Sequence, residues 1–334
     1  DTGSKIHAEV LRRGLLHTDH YVGSTLVDMY AKCGLLTKAQ EVFDMLPLRN
    51  VVSWTTLITG YVEAGDGETA IHCFDEMQHE AIAVDAVTLV CSLKACGMVG
   101  AKDKGQDIHA DVARAGLENN LPIGSTLVDM YAKCGLLADA QKVFTGLPLR
   151  NVVSWTALIA GYAQRGESKK VFNMFEKMMY DGVRPNEVTF VSVLNACNHA
   201  GLVDKGRKYF ETMRRDYGIM PNHKHYTCLI DLLGRAGQLD EAVLTAEKMP
   251  FEPDFVVWST MLSACRKWGD VELGKHSFDS ALNSDDKVAG AYILMVNIYS
   301  DAHMWTDAMK VEALRLNKGG WREAAWKFEV TREK

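Results

Sequence analysis

Fourteen consecutive residues, GSTLVDMYAKCGLL at 23–36, recur unchanged at 124–137. The match runs on: LPLRNVVSWTTLI at 46–58 is answered by LPLRNVVSWTALI at 147–159, again 101 residues later. A strict internal period limits the fold more than any other feature of this chain. Copies of one short supersecondary unit stack on their neighbours as an array.

The long period subdivides. Leu26, Val27, Met29 and Tyr30 share a helical face, and Gly34 supplies the stop that follows a helix C-terminus. Ala39, Val42, Phe43 and Leu46 line a second helix, which Pro47 ends. No stretch alternates with period two for long enough to make a strand. The unit is thus a helix–turn–helix of about 31 to 36 residues, within the range of helical repeats. Residues 1–19 read as the back half of a truncated unit, followed by units 20–50, 51–85, 86–120, 121–151, 152–186, 187–222 and 223–254. Two more divergent hairpins occupy about 255–288 and 289–334. Trp54, Trp155 and Trp258 mark equivalent places in first helices. The expected class is all-α: an α-solenoid of helix–turn–helix repeats forming a right-handed superhelix.

Apolar residues make up 47% of the chain, enough for a continuous core, and their runs are too short to cross a bilayer. No signal-peptide pattern opens the sequence, and any targeting segment is expected upstream of Asp1. Cysteines recur with the period, Cys33 with Cys134 and Cys96 with Cys197, which predicts free thiols filling one buried slot in a reducing compartment. The net charge of −6 opposes a ligand held by bulk phosphate attraction.

Several motifs carry a family likeness. VGSTLVDMYAKCGLL with AQEVFDMLP, VVSWTTLITGYVEAGDGETAIHCFDEM, and AVTLVCSLKACG with KGQDIHADVARAG together resemble the pentatricopeptide repeat family of plant organelles. The W-x2-L-G-x2-Y pattern of tetratricopeptide repeats is absent. More narrowly, the alternation of short, standard and long units resembles the PLS class. FVVWSTMLSACRKWGDVELGK and AYILMVNIYSDAHMWTDAMKV resemble the E extension of editing factors, which assigns 255–334 to an E-like segment; the tail GGWREAAWKFEV fits that ending only loosely. The resemblance implies a chloroplast or mitochondrial protein that binds single-stranded RNA at one base per repeat. It also implies multiple organellar RNA editing factors as partners at the long units 86–120 and 187–222. A deaminase-bearing protein would be recruited through the E-like segment.

In this family the fifth and last residues of each unit carry the base code. Here the pairs are Ser24 with Asn50, Thr55 with Asp85, Ser125 with Asn151, Thr156 with Asn186, and Thr227 with Asp254. Val90 with Asn120 and Val191 with Asn222 are weaker, because valine offers no hydrogen bond. Asp only accepts, which suits the N1–H and N2–H2 donors of guanine; Asn both donates and accepts, which suits the edge of adenine. Tyr21, Val52, Val87, Pro122, Val153 and Val188, three residues before each code hydroxyl or valine, are placed to sandwich the base, and Lys224 breaks that apolar series. With the N-terminal unit toward the 5′ end, the pairs spell 5′-AGNAANG-3′. Taken singly, a Ser or Thr opening a helix is a cap, and an Asn or Asp in a loop is a turn former. Seven aligned pairs together favour base reading, except at the two valine pairs, where the cap-and-turn reading stays favoured.

No enzyme is expected. His7-Ala8-Glu9 matches the H-x-E of zinc deaminases, but the required P-C-x-x-C is missing, and His109-Ala110-Asp111 repeats the same position. His223 and His225 have no partner ligand at metal-site spacing. No P-loop, nucleophile elbow or dinucleotide fingerprint occurs. No cofactor or metal is implied. Two functions stay open: site recognition for organellar C-to-U editing, or a related role in splicing, RNA stability or translation; and a TPR-like scaffold that binds protein, which suits the acidic charge better.

Overall fold

The computed structural model describes residues 2–18, 20–284 and 289–317, and among these it holds twenty α-helices and no strand. The GGWREAAWKFEV tail lies outside the described residues. The chain divides into two compact bodies, residues 1–165 with 173–184, and residues 166–172 with 185–334.

In the first body α1 (Thr2–Arg12) and α2 (Leu15–Thr18) precede four hairpins. These are α3 (His20–Lys32) with α4 (Leu36–Asp44), α5 (Val51–Glu63) with α6 (Gly67–His79), α7 (Ala86–Val99) with α8 (Lys102–Arg114), and α9 (Leu121–Lys133) with α10 (Leu137–Gly146). α11 (Val152–Gln164) follows, and α12 (Ser168–Tyr180) contributes residues to both bodies. First helices pack in series, α3 on α5, α5 on α7, α7 on α9 and α9 on α11. Each second helix packs on its own first helix, giving two layers.

The second body repeats the scheme. It contains α13 (Glu187–Ala200) with α14 (Val203–Arg215), α15 (His223–Arg235) with α16 (Leu239–Glu247), α17 (Phe255–Trp268) with α18 (Val271–Ser284), and α19 (Ala289–Asp301) with α20 (Trp305–Asn317). The first helices again pack in series, α13, α15, α17, α19.

The core is the seam between the layers. Leu26, Val27 and Tyr30 of α3 bury with Val42 and Phe43 of α4, and Trp54, Leu57 and Ile58 of α5 continue the row. Phe43 meets Trp54 edge-on with ring centroids 4.5 Å apart, and Phe144 meets Trp155 likewise at 4.6 Å. Each such buried side chain contributes roughly 1.5–3 kcal/mol relative to exposure. First helices approach closely at Gly60, where an added Cβ would lie 2.8 Å from Ala31 Cβ. Gly161 repeats that approach against Ala132 and Leu137. This contact explains why the period keeps glycine there.

One expectation is corrected. Cys134 is buried, with its thiol 3.7 Å from the Cys96 carbonyl on the preceding first helix, whereas Cys33 is exposed.

Candidate nucleic-acid interface

Every unit from 20–50 onward ends on a residue that caps the next first helix. Oδ1 accepts a backbone N–H in each case: Asn50 from Ser53 at 2.9 Å, Asp85 from Thr88 at 2.8 Å, Asn120 from Ile123 at 3.2 Å and Asn151 from Ser154 at 2.9 Å. In the second body Asn186 accepts from Thr189 at 2.9 Å, Asn222 from Lys224 at 3.1 Å and Asp254 from Val257 at 3.1 Å. Such a cap contributes about 1 kcal/mol. It also sets the chemistry of the side chain, because one of its two terminal atoms is committed to the helix. What remains is Nδ2, a donor, on Asn and Oδ2, an acceptor, on Asp. Asp85 and Asp254 are exposed, and the asparagines are half-buried. At Asn151, whose Oδ1 receives both the Ser154 N–H and the Ser125 hydroxyl, the donor-plus-acceptor contact expected of Asn narrows to its donor half. At Asn222 that half is also engaged, since Nδ2 donates to Glu187 Oε2 at 3.2 Å.

The fifth residues lie one turn inside. Ser24, Ser125 and Thr156 are buried at 8%, 2% and 7% exposure, while Thr55, Thr227, Val90 and Val191 are half-buried. Ser125 Oγ donates to Asn151 Oδ1 at 3.1 Å, so this pair is directly linked. Thr55 and Asp85 are linked through Thr88, whose hydroxyl lies 2.6 Å from Thr55 Oγ1 and donates to Asp85 Oδ1 at 2.7 Å. Thr227 turns back and donates to the His223 carbonyl at 2.8 Å. Thr156 belongs to the first body and Asn186 to the second, and each is placed within its own.

The second residues face solvent. Tyr21 is 85% exposed, and Val52, Val87, Val153 and Val188 are 50–57% exposed; Pro122 is exposed as well. Val256, at 53%, occupies the same place on α17 and was not singled out in sequence; V-S-W at 52–54 against V-V-W at 256–258 is the signal that finds it. Single exposed valines are ordinary surface, but the same register in unit after unit lies beside each cap. In the first body Thr55, Thr59 and Val87 line an open groove of about 290 Å³ together with Asp28 and Lys32.

His7, His109 and His225 have structural partners. His7 Nδ1 lies 3.0 Å from the Tyr30 hydroxyl and His109 Nδ1 lies 2.8 Å from that of Tyr131, so both fasten a second helix to the next unit. Glu9 is engaged by Arg12 and Arg13. His225 is fully buried against Asn222 and the Glu187 carbonyl. Among the described residues no group of His, Cys, Asp and Glu is placed to hold a metal ion, and no helix is long and apolar enough to cross a membrane.

The comparisons with known proteins agree with this architecture. The model described as PPR repeat family matches residues 49–98 and 150–199, and that described as PPR repeat matches 24–51, 188–217, 224–250 and 256–280. The last of these falls on the first hairpin beyond 254. The chain is 43% identical over 320 residues to the pentatricopeptide repeat-containing protein CRR2, chloroplastic, of Arabidopsis thaliana, covering 95% of the chain and 48% of that protein. It is 38% identical to a mitochondrial pentatricopeptide repeat-containing protein of the same plant, covering 91% of the chain and 54% of the relative. The chain thus spans about half the length of these relatives. The crystal structure of the maize pentatricopeptide repeat protein PPR10 aligns over 90% of the chain and 54% of its own, with a TM-score of 0.54 at 16% identity. PPR10 has also been crystallised with an 18-nt psaJ RNA element. With the repeat models together matching more than half of the chain, in six segments between 24 and 280, the chain belongs to the PPR repeat family.

Proposed function

We propose that this protein binds single-stranded RNA sequence-specifically, one base per unit, in a plant organelle. The observation that carries the reading is the series of helix caps. At Asn50, Asp85, Asn151 and Asp254 the cap holds one terminal atom against the helix and leaves a donor (Asn) or an acceptor (Asp) beside an exposed apolar residue. Stacking on an apolar surface holds any base, and the cap atom distinguishes among them. Asn151 and Asn50 then favour adenine, whose N1 accepts, and Asp85 and Asp254 favour guanine, whose N1–H and N2–H2 donate. The names of the relatives, chloroplastic and mitochondrial, support an organellar setting.

The finer reading is site recognition for C-to-U editing. Units of alternating length support the PLS class, and residues 255–334 would serve as the E-like segment that recruits a deaminase from another protein. The long units 86–120 and 187–222 would bind multiple organellar RNA editing factors. Asn222, with both halves engaged, accords with a unit that reads bases weakly. The net charge of −6 favours the rival reading, a protein-binding scaffold.

Titration of 5′-AGNAANG-3′ and 5′-AANAANG-3′ RNAs into the protein and into Asp85→Asn separates the two. Base reading predicts that the substitution moves the preference from G toward A by roughly ten-fold or more, the scale of one good base contact. Equal affinities for both RNAs with both proteins would leave these residues as caps alone.

A further inference from the structure

Two kinds of hydroxyl stand at the third position of the first helices. Ser53 and Ser154 donate to the backbone carbonyls of their caps, Asn50 at 2.9 Å and Asn151 at 3.0 Å. Thr88 and Thr189, 101 residues apart, donate instead to the cap side chains, Asp85 Oδ1 at 2.7 Å and Asn186 Oδ1 at 2.9 Å. Both threonines are fully buried. They touch no ligand surface, yet they hold the atom opposite the one that would read the base.

At Thr88 the consequence extends further. Its hydroxyl has one hydrogen, and a carboxylate can only accept, so that hydrogen is committed to Asp85. Thr55 Oγ1, 2.6 Å away, must therefore be the donor in the Thr55–Thr88 bond. This spends the only hydroxyl hydrogen of Thr55. Asp85 Oδ1 already receives the Thr88 N–H and hydroxyl, and Asp85 Oδ2 has no hydrogen-bond partner among the described residues. Unit 51–85 thus offers acceptors from both of its code residues and a donor from neither.

We infer that Thr88, in the following unit, is a third specificity-determining residue for the base read by Thr55 and Asp85. It is a positioning residue that acts through both, and the inference rests on the base reading proposed above. Guanine presents N1–H and N2–H2 to the two acceptors. Adenine presents N1, a lone pair, which meets another lone pair whichever code residue it faces. Removing the Thr88 hydroxyl returns the Thr55 hydrogen to the groove, where it can be donated to adenine N1. Discrimination is lost because the wrong base improves.

The test is the ratio of dissociation constants for 5′-AGNAANG-3′ and 5′-AANAANG-3′ with the full chain, Thr88→Val and Thr88→Ser, folding being checked by circular dichroism. Valine is close in shape to threonine; if it is not accommodated, Thr88→Ala removes the same hydroxyl. We expect the G-over-A ratio to fall about ten-fold in Thr88→Val, chiefly through tighter binding of the A-containing RNA, and to be kept in Thr88→Ser. A residue that only stabilises the helix would weaken both RNAs alike and leave the ratio unchanged, and that result overturns the inference while base reading survives. An original protein without preference between the two RNAs overturns base reading at this unit, and Thr88 with it.

Discussion

Ser125 Oγ donates to Asn151 Oδ1 across 3.1 Å, so the fifth residue of unit 121–151 spends its hydrogen on the last. The Ser154 N–H occupies the same oxygen at 2.9 Å. The amide is thereby held with Nδ2 away from the helix, and Asn151 offers a donor. Because Ser125 is only 2% exposed, its contribution is to orient the amide rather than to meet the base. Replacing Ser125 by Ala should therefore lower the preference for adenine at the fourth RNA position without abolishing RNA binding. One hydrogen bond of about 0.5–1.5 kcal/mol implies a loss of roughly two- to ten-fold in the A-over-G ratio. Competition binding with RNAs differing only at that base measures it, and an unchanged ratio would show that the amide holds itself.

A second expectation concerns stability. Trp54 Nε1 donates to Glu80 Oε2 at 3.2 Å, and Arg49 pairs with the same carboxylate at 2.8 Å. In the next copy Asp181 takes the place of Glu80. One methylene shorter, it stays 3.7 Å from Arg150 and leaves the buried Trp155 Nε1 without an acceptor among the described residues. Asp181→Glu should supply that acceptor and raise stability by about 1 kcal/mol, and Glu80→Asp should lower it by a similar amount. Thermal unfolding followed by circular dichroism reads both.

The third concerns salt. Lys32, Lys133 and Arg235 recur at the ends of first helices, each held by the acid one turn earlier: Asp28 at 2.8 Å, Asp129 at 2.7 Å and Asp231 at 2.9 Å. Lys32 borders the groove that contains Thr55 and Val87. If these cations meet phosphates, changing all three to Ala weakens every RNA alike. The slope of log K against log salt should fall by about 2, at about 0.7 per phosphate of a single strand. Base preference should stay as it was.

The fourth is a pH dependence. Burial holds His109 below its usual value of 6.5, and the nearby Glu118 and Asp139 offset this only in part. The fold therefore prefers the neutral ring, whereas the unfolded chain takes up a proton near pH 6.5. Stability from this group is complete above about pH 6.5 and is lost as the pH falls below it. His225, lowered by burial as well, acts in the same direction. Unfolding midpoints measured from pH 7.5 down to about 5.5 should decline, and less steeply in His109→Gln.

The helical class and the hairpin register could be written down from the 101-residue period, since a repeat shows its own register, whereas the code positions came only from the family resemblance. The fate of identical letters could not. Cys33 and Cys134 sit in the same fourteen-residue string, yet Cys33 is exposed and Cys134 is buried with its thiol near the Cys96 carbonyl on α7. Trp54 and Trp155 look equivalent until the reach of Glu80 and Asp181 is compared.

What this sequence determines by itself is which residues recur, because helical periodicity and Gly and Pro punctuation are local properties of the chain. Where each hydroxyl hydrogen goes is decided only by tertiary structure. Thr88 is one more threonine in sequence. It links Thr55 to Asp85 because α7 packs on α5 and brings residues 33 apart to 2.6 Å. Hydrogen-bond direction depends on which acceptors lie within about 3 Å, and stacking sets those distances.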